Sequence, residues 1–352
     1  MSGLPSVMKG VQLTGYGGLE KLRYREDIPL PAFGPRDVLI KVGAAGVNNT
    51  DLNTRVGWYL KQGDEQGAEG WSEIPLRFPR IQGADVCGRV VAAGDQVDTA
   101  LLGARVLVEP CLYEAGGRSL EHPWYFGSEC DGGFAQYTVV AARHAHRVES
   151  GLSDIELASF PCSYSTAENL LTRAGVGRGE RVLVTGASGG VGSAVIQLAG
   201  ARGARVVAVT SPAKSAQVLG LGAERTLGRD EELATVLGKS SVDVVIDLVG
   251  GRQWPALLDL LRPFGRYATS GAIAGPFVDL DLRTLYLKDL TLFGCTVLGR
   301  DVFPRLIKRI EAGQVSALVA KTFALTEIAL AQTRLEERRH IGKFVIDVSG
   351  AG

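Results

Sequence analysis

Four glycines lie close together in the sequence, at positions 186, 189, 190 and 192. They follow a short β-branched run, Arg181–Thr185. The first three precede the segment Val191–Ala201, in which apolar residues recur at helical spacing, and Gly192 lies within it. A strand, a glycine-rich turn and a helix in this order can bring backbone N–H groups and a helix N-terminus against a pyrophosphate. The spacing therefore predicts a dinucleotide-binding turn. Its predicted cofactor-binding residues are Ser188, Gly189, Gly190 and Val191.

The glycine pattern is imperfect, because Ala187 occupies the first of the six positions, where glycine is usual. A bare G-x-G-x-x-G match is weak evidence, so the prediction depends on its context. That context is the strand before the turn, the helix after it and a second apolar strand, Val206–Val209. The alternative is a glycine-rich turn in an ordinary α/β domain, and the context favours the dinucleotide.

The residues after the second strand indicate which dinucleotide is bound. An Asp or Glu at the end of that strand would accept hydrogen bonds from the adenosine ribose and repel a 2′-phosphate. No carboxylate occurs between Ala204 and Leu221. Ser211 can instead donate to a phosphate oxygen, and Lys214 brings a cation within reach. We therefore expect NADP(H) as the cofactor; the alternative is that Lys214 is a solvated surface lysine and NAD(H) is accepted too.

Composition narrows the class of protein. The 352 residues carry 38 basic and 38 acidic side chains. The basic residues form no block, which argues against a nucleic-acid or membrane-surface partner. No apolar run is long enough to span a bilayer, and the first residues lack the layout of a signal peptide. We expect a cytoplasmic α/β enzyme acting on a small molecule. The five cysteines are odd in number and never form a C-x-x-C pair, which argues against a disulfide framework.

The first 150 residues have the pattern of short strands separated by turns, which predicts irregular antiparallel β structure and a small barrel. Two long segments interrupt this pattern. Leu60–Arg77 is polar around Trp71, and we expect a surface loop there. Cys111–Gly133 is predicted to be a second loop, with aromatic residues at its centre.

After residue 151 the pattern becomes that of alternating strands and helices. Ser153 and Glu156 form a capping box, and helices are predicted over 153–160 and 165–174. Strand-like runs begin near 182, 206, 224, 243, 267 and 291, which predicts a doubly wound parallel sheet. Helices at 301–312 and 326–337 and strands at 319–323 and 343–348 follow, and we expect them to rejoin the N-terminal domain. The predicted domains are 1–150 plus 300–352, and 151–299.

Six short motifs are distributed along the chain. They are Gly46-Val-Asn-Asn-Thr-Asp51, Gly83-Ala-Asp85, Gly88-Arg-Val-Val, Ala187-Ser-Gly-Gly-Val-Gly192, Asp243-Val-Val-Ile-Asp-Leu-Val-Gly250 and Gly342-Lys-Phe-Val-Ile346. In this order they resemble the motifs of the medium-chain dehydrogenase/reductases, and most closely those of the zinc-independent quinone oxidoreductase and enoyl reductase branch. The resemblance implies a GroES-like barrel domain with an inserted Rossmann domain. It also implies a homodimer or homotetramer, often paired through the last Rossmann strand, which would be Asp289–Val297 here.

The zinc alcohol dehydrogenases of this superfamily hold their catalytic metal with a Cys before x-Thr-Asp, a Gly-His-Glu and a later Cys. The matching positions here are Asn48, Ala84, Asp85 and Cys162. One thiolate and one carboxylate are fewer than the three protein ligands of a catalytic zinc. The resemblance therefore implies an enzyme without a metal.

A structural zinc is not expected either. That site takes four closely spaced cysteines, and Cys111 and Cys130 are alone in the corresponding segment. His144 and His146 match neither kind of zinc position, and they are predicted to lie on the surface.

The resemblance also suggests catalytic residues. Asn48 is a candidate for contacting the nicotinamide ribose or the substrate carbonyl; alternatively, its amide satisfies loop backbone. Tyr59 resembles the tyrosine of enoyl reductases that donates a proton or hydrogen bond; alternatively, it only packs. Asp85 could orient a positive group. On the cofactor side, Thr166 matches a family residue beside the cofactor. Five residues at strand C-terminal ends are expected near the nicotinamide half, namely Val249, Gly250, Ser270, Gly271 and Ala272.

Loss of the metal favours one reaction over another. Alcohol oxidation would lose its Lewis acid, whereas reduction of an activated C=C bond needs hydride and hydrogen-bond donors to the enolate oxygen. The expected function is NADPH-dependent reduction of an α,β-unsaturated carbonyl compound or a quinone. The alternatives are a zinc-type alcohol dehydrogenase and a non-enzymatic NADPH-binding protein.

Overall fold

The computed structural model describes residues 3–60 and 75–350. The chain forms two compact units, Met1–Cys162 with Ala317–Gly352, and Ser163–Ser316. The second unit is thus inserted in the sequence of the first, but its boundaries come later than those predicted after residues 150 and 299. Most of the predicted loop 60–77 lies outside the described residues.

Eighteen strands and ten α-helices form the described fold. The strands are β1 (Val7–Leu13), β2 (Leu22–Pro29), β3 (Asp37–Val47), β4 (Arg80–Ile81), β5 (Asp85–Ala93), β6 (Arg105–Val108), β7 (Cys111–Ala115), β8 (Arg118–Tyr125), β9 (Tyr137–Ala141), β10 (Ala145–Arg147), β11 (Arg181–Val184), β12 (Arg205–Val209), β13 (Arg225–Leu227), β14 (Val242–Asp247), β15 (Leu261–Thr269), β16 (Thr291–Gly294), β17 (Val319–Ala324) and β18 (Lys343–Asp347). The helices are α1 (Asn49–Arg55), α2 (Asp154–Leu157), α3 (Pro161–Arg173), α4 (Gly190–Ala201), α5 (Ser215–Gly220), α6 (Leu233–Leu237), α7 (Trp254–Leu260), α8 (Leu282–Leu287), α9 (Val302–Glu311) and α10 (Ile328–Glu336).

The first unit is built on a seven-stranded sheet in the order β10-β6-β5-β3-β18-β17, with β9 also paired to β3. A three-stranded sheet, β2-β1-β4, accompanies it. Most pairings are antiparallel, as predicted, and β17 with β18 is a parallel exception. The last strand of the chain pairs with β3 through Phe344 and Val47. This pairing brings the start of β18 to the end of β3, where the Gly46–Asp51 motif begins.

The segment predicted as a loop over 111–133 contains a β-hairpin instead. Strands β7 and β8 pair antiparallel, with Cys111 opposite Tyr125 and Ala115 opposite Arg118. Gly116 and Gly117 form the turn with φ angles of 55° and 73°, in the left-handed region that side chains disfavour. The hairpin therefore holds Tyr125 at a defined end of a strand.

The second unit contains a six-stranded parallel sheet in the order β13-β12-β11-β14-β15-β16, and the predicted strand sequence is confirmed. Its central strands are apolar and buried on both faces; every residue of β14 is buried. The capping box at Ser153 and Glu156 is also present, and it begins α2. Helix α9 was predicted to rejoin the first domain, but it belongs to this second unit. Within the unit, Arg309 of α9 approaches Glu168 of α3 to 3.6 Å.

No helix among the described residues has both the length and the apolar character that a membrane crossing needs.

Candidate active site

The glycine-rich turn joins β11 to α4 in the predicted way. Gly186 adopts a φ of 59°, and α4 begins at Gly190. A Cβ atom on Gly192 would lie only 2.3 Å from the carbonyl oxygen of Gly186, so the close approach of helix and strand requires glycine there. Ala187 is fully buried and is not in the left-handed region, which explains why alanine is compatible with its position. The turn fits the phosphates of a dinucleotide.

Polar and basic side chains surround the end of β12. The Nζ atom of Lys214 lies 3.5 Å from the hydroxyl oxygen of Ser188 in the glycine-rich turn. Burial lowers the pKa of Lys214, and the nearby charge of Arg229 lowers it further. The hydroxyl of Thr210, 4% exposed, has no hydrogen-bond partner within the described residues. Two cations and an unsatisfied hydroxyl thus lie where the sequence predicts the adenosine ribose, and Arg229 is a residue that sequence reasoning missed.

Two predicted strand-end segments lie side by side. Val249 and Gly250 follow β14, and their backbone N–H groups donate to the buried carboxylate of Asp247 at 2.9 and 3.2 Å. The same carboxylate accepts hydrogen bonds from Tyr267 and Thr185, at 2.6 and 2.5 Å. Asp247 therefore fixes the path of the chain at the C-terminal ends of three neighbouring strands, and sequence reasoning did not single it out.

The segment after β15 completes this edge. Ser270, Gly271 and Ala272 follow β15, and the carbonyl oxygen of Gly271 accepts a hydrogen bond of 3.1 Å from Thr269. A Cβ atom on Gly250 would come within 3.3 Å of the Ala272 side chain, so the two segments are neighbours. Thr166 lies on α3 of the same unit, and Ser211 is the second residue after β12.

In the first unit, three polar side chains form a buried cluster. The ammonium of Lys343 lies 2.6 Å from a carboxylate oxygen of Asp85, and it also donates to the side-chain oxygen of Asn48. The amide nitrogen of Asn48 donates to the same Asp85 oxygen at 2.8 Å. Asp85 is fully buried, and Lys343 is 4% exposed. Asp85 thus orients a positive group, as the sequence analysis allowed, but that group, Lys343, lies 295 residues from Asn48.

Asn48 makes its side-chain contacts mainly with charged side chains and not with loop backbone, which was the alternative given in the sequence analysis. Its side-chain oxygen accepts from Lys343, and its amide nitrogen donates to Asp85 and makes a long contact of 3.5 Å to the Gly46 carbonyl. Both ends of the amide are therefore engaged inside the protein, and the residue is 7% exposed. Asn48 organises the cluster.

Asp51 closes the cluster on the side of α1. Its carboxylate accepts the backbone N–H groups of Asn48 at 2.7 Å and Gly83 at 3.2 Å. Burial raises the pKa of Asp51 to about 7, although the Asn48 N–H and the charge of Lys343 act in the opposite direction. The carboxyl group ties the two family motifs around Asn48 and Asp85 together.

Cys162, the one thiol among the zinc-ligand positions, contacts a tyrosine. Its Sγ atom lies 3.1 Å from the hydroxyl oxygen of Tyr125, and its backbone N–H donates to Asp85. Burial raises the pKa of Cys162 to about 12, and burial together with Cys162 raises the pKa of Tyr125 well above its usual value. Both groups therefore carry their protons at neutral pH.

Tyr59 is placed beside α1, close to this cluster in sequence. Its hydroxyl donates to Thr50 Oγ1 and accepts from Asn53 Nδ2, both at 3.3 Å, and the ring is partly exposed. Tyr59 thus has polar partners, as a hydrogen-bonding role requires, and it is not placed by packing alone.

The surface position predicted for two histidines is wrong for His144 and only partly right for His146. His144 is 1% exposed; its Nε2 accepts the backbone N–H groups of Tyr113 and Glu114, while Nδ1 lies 2.7 Å from Glu109. His146, partly exposed, lies 3.4 Å from the same carboxylate. Both rings thus contact the buried carboxylate of Glu109, and both nitrogens of His144 have hydrogen-bond partners.

The donors in the first unit do not fit a catalytic zinc. The matching positions hold an amide that is already bound, the methyl group of Ala84 and a thiol in contact with Tyr125, while Asp85 is paired with Lys343. Among the described residues, no group of three or more His, Cys, Asp or Glu side chains is arranged to hold a metal ion.

Comparisons with known proteins agree with the architecture. The family model for the alcohol dehydrogenase GroES-like domain matches residues 34–150, and the one for zinc-binding dehydrogenases matches residues 190–312. The acryloyl-coenzyme A reductase of Metallosphaera sedula is 30% identical over 96% of this chain and 99% of its own length. The human quinone oxidoreductase is 26% identical over 94% of each chain.

A crystal structure from Sinorhizobium meliloti 1021, titled as that of a "putative alcohol dehydrogenase", superimposes with a TM-score of 0.91, at 48% identity, over 98% of this chain and 97% of that one. The chain therefore has a GroES-like domain and a Rossmann-like domain, and it is an oxidoreductase of the medium-chain dehydrogenase/reductase superfamily.

Proposed function

We propose that this protein is an NADPH-dependent reductase that delivers hydride to an α,β-unsaturated carbonyl compound or a quinone without a catalytic metal. The observation that carries this proposal is the cluster of Asn48, Asp85 and Lys343. Where metal-dependent relatives supply ligands, this chain supplies an amide and a carboxylate that are bound to an ammonium. A site of this kind offers no Lewis acid for alcohol oxidation.

Relatives along nearly the whole chain support the reaction class. They include the acryloyl-coenzyme A reductase and the quinone oxidoreductase described above, together with a 2-methylene-furan-3-one reductase of Solanum lycopersicum that is 30% identical. Each of these names denotes reduction of a conjugated or quinonoid compound. NAD-dependent alcohol dehydrogenases are also among the relatives, at 28% identity in Sulfolobus acidocaldarius. The choice between alcohol oxidation and reduction of a conjugated compound therefore rests on the side chains at the zinc-ligand positions.

The choice of NADPH rests on charge. Burial and then the nearby charge of Arg229 lower the pKa of Lys214, so the two cations lie close together, and such a pair suits a 2′-phosphate dianion. The turn around Ser188 to Val191 would hold the pyrophosphate at the N-terminus of α4. Thr166 and the segments after β14 and β15 would position the nicotinamide. When bound, NADPH supplies the hydride.

The chain's own hydrogen-bond donors would stabilise the negative charge that hydride addition places on the substrate oxygen. Tyr59 is the candidate from the first unit, because its hydroxyl is held by Thr50 and Asn53 and is not fully buried. Asn48 would act indirectly, by holding Asp85 and Lys343 in place.

We also propose that the protein forms a homodimer or homotetramer through β16. This strand is the edge of the parallel sheet, within the predicted segment Asp289–Val297. Apolar side chains of the same unit are strongly exposed nearby in sequence, among them Leu287 at 71% and Phe277 at 91%. An edge strand flanked by exposed apolar residues suits pairing with a second copy.

A turnover screen tests the proposed function. NADPH oxidation would be followed with α,β-unsaturated ketones, aldehydes and acyl thioesters, with quinones, and, in the reverse direction, with alcohols and NADP⁺. We expect oxidation of NADPH with at least one enone or quinone. Alcohol oxidation that depends on added zinc would support the zinc-type alternative, and tight NADPH binding without any turnover would support a binding protein.

Replacement of Tyr59 by Phe should lower kcat about tenfold, since one hydrogen bond to the developing oxyanion is lost. The Kd for NADPH should stay unchanged. Steady-state kinetics and a fluorescence titration of NADPH measure the two quantities. Tyr24→Phe is the matched control, because that hydroxyl bonds to Glu26 on the outer strand β2. An unchanged kcat in Tyr59→Phe would remove this residue from the mechanism.

A further inference from the structure

Tyr125 contacts a residue whose position matches a zinc ligand of the metal-dependent relatives, although no motif singled it out as reactive. Its hydroxyl oxygen lies 3.1 Å from Sγ of Cys162, the one thiol retained among the zinc-ligand positions. Cys162 in turn donates its backbone N–H to Asp85, which pairs with Lys343. The tyrosine is therefore connected to the buried cluster of the first unit by two hydrogen-bonded steps.

The backbone around Tyr125 is held firmly. Tyr125 pairs with Cys111 at the end of the hairpin, and its N–H donates to the carboxylate of Glu129 at 2.7 Å. The next residue, Phe126, is 1% exposed and donates its N–H to the Pro110 carbonyl at 2.8 Å. A side chain fixed on both sides in this way can present its hydroxyl in one orientation.

The surroundings keep this hydroxyl protonated. Burial and the neighbouring thiol raise the pKa of Tyr125, and burial also raises the pKa of Cys162 to about 12. The tyrosine residue as a whole is partly exposed, whereas Cys162 is 8% exposed. The phenol thus still holds its proton when hydride arrives, and the positive charge of Lys343 lies close enough to influence Cys162 beside it.

We infer that Tyr125 is the proton donor of the reduction, with Cys162 holding its hydroxyl in place. This inference rests on the proposed function. Hydride forms a C–H bond at the β-carbon, and the electron pair of the C=C bond moves onto the enolate. The O–H bond of Tyr125 then breaks as its proton forms the new C–H bond at the α-carbon. Water returns a proton to the phenolate, so the substrate gains one hydride and one proton. Tyr59 would donate a hydrogen bond to the substrate oxygen and keep its own proton.

Two substrate classes separate this role from a structural one within the same protein. An enone needs a proton on carbon, which water delivers slowly, whereas a quinone needs protons only on oxygen, which water delivers rapidly. Tyr125→Phe should therefore lower enone turnover about 100-fold and quinone turnover less than about threefold. Tyr113→Phe removes a hydroxyl from the other strand of the hairpin, and it should change neither rate.

The stereochemistry of protonation provides a readout that does not depend on rate. In D₂O with unlabelled NADPH, the wild-type protein should place deuterium on one face of the α-carbon of 2-methylcyclohexenone. Tyr125→Phe should give both faces, with the NADPH Kd and the thermal midpoint unchanged as evidence of folding. Unchanged enone turnover with intact stereospecificity, or equal losses with enone and quinone, would overturn the role of Tyr125. A wild-type protein that reduces neither class would overturn the proposed function, and this inference with it.

Discussion

Lys214→Glu should weaken NADPH binding about 100-fold, or by about 2.7 kcal/mol, while NADH binding changes less than about threefold. In the proposed site, the variant would remove a charge-assisted hydrogen bond to the 2′-phosphate and place a carboxylate beside that dianion. NADH carries a hydroxyl at the same position, which a carboxylate can accept as a hydrogen-bond donor. The predicted effect is therefore a change of preference between the two cofactors and not a general loss of binding.

Fluorescence titrations of both reduced cofactors measure this change. Lys308→Glu makes the same charge change on the exposed side of α9, and it controls for the net charge of the chain. Equal losses for NADPH and NADH in Lys214→Glu would mean that the phosphate lies elsewhere. If only Arg229→Gln shifts the preference, then Arg229 holds the phosphate and the assignment to Lys214 fails.

Lys343→Met should lower the free energy of unfolding by about 3–5 kcal/mol, because it leaves the carboxylate of Asp85 buried without its ion-pair partner. Asp85 is fully buried, and the ammonium that neutralises it is 2.6 Å away. The amide of Asn48 would also lose the donor to its side-chain oxygen. Loss of activity should accompany the loss of stability, since the geometry of the cluster depends on this charge.

Denaturant unfolding of three variants measures how much the ion pair contributes to the free energy of unfolding. Lys343→Met with Asp85→Asn removes both charges and should recover most of the lost stability. Lys321→Met, on the exposed part of the neighbouring strand β17, removes only a cation–π contact with the Phe323 ring at 4.8 Å, and it should change the free energy of unfolding by less than about 1 kcal/mol. A Lys343→Met variant as stable as the Lys321→Met variant would show that the buried pair contributes nothing, and it would remove the central support for the proposed site.

The parallel sheet of the second unit was predictable because its signal is local. The central strands β11, β12 and β14 are short and mostly apolar, and strand-like runs repeat at the interval of one strand and one crossover helix. The imperfect glycine fingerprint was also interpretable, because the residue that needs a positive φ is Gly186, which is present, and Ala187 does not need one. A local sequence pattern is therefore sufficient to predict a strand whose residues are apolar because both faces of its sheet are buried.

The β7–β8 hairpin was missed because its strands carry little apolar alternation. Most residues of β8 are exposed or partly exposed, and Pro123 lies within it, so the segment has the composition of a loop. The dipeptide Gly116–Gly117 was the available signal, since paired glycines are typical of two-residue hairpin turns. Because the hairpin was not predicted, the contact between Tyr125 and Cys162 could not be predicted either.

The composition of the buried cluster was only half predictable. The family motifs identified Asn48, Ala84 and Asp85 as replacements for metal ligands and Cys162 as the one thiol retained, and they allowed Asp85 to orient a positive group. The identity of that group could not follow from local pattern, because Lys343 lies at the start of a strand in the last ten residues described. Its role depends on the pairing of β18 with β3, which is a long-range contact.

The zinc content of the active protein tests the central claim most directly. Protein purified without added zinc would be analysed for metal by mass spectrometry, and its NADPH-dependent turnover of an enone or quinone would be measured before and after treatment with a chelator. The account predicts less than about 0.1 zinc per chain and the same turnover in both samples. Stoichiometric zinc, with turnover that is lost to the chelator and restored by added zinc, would contradict it.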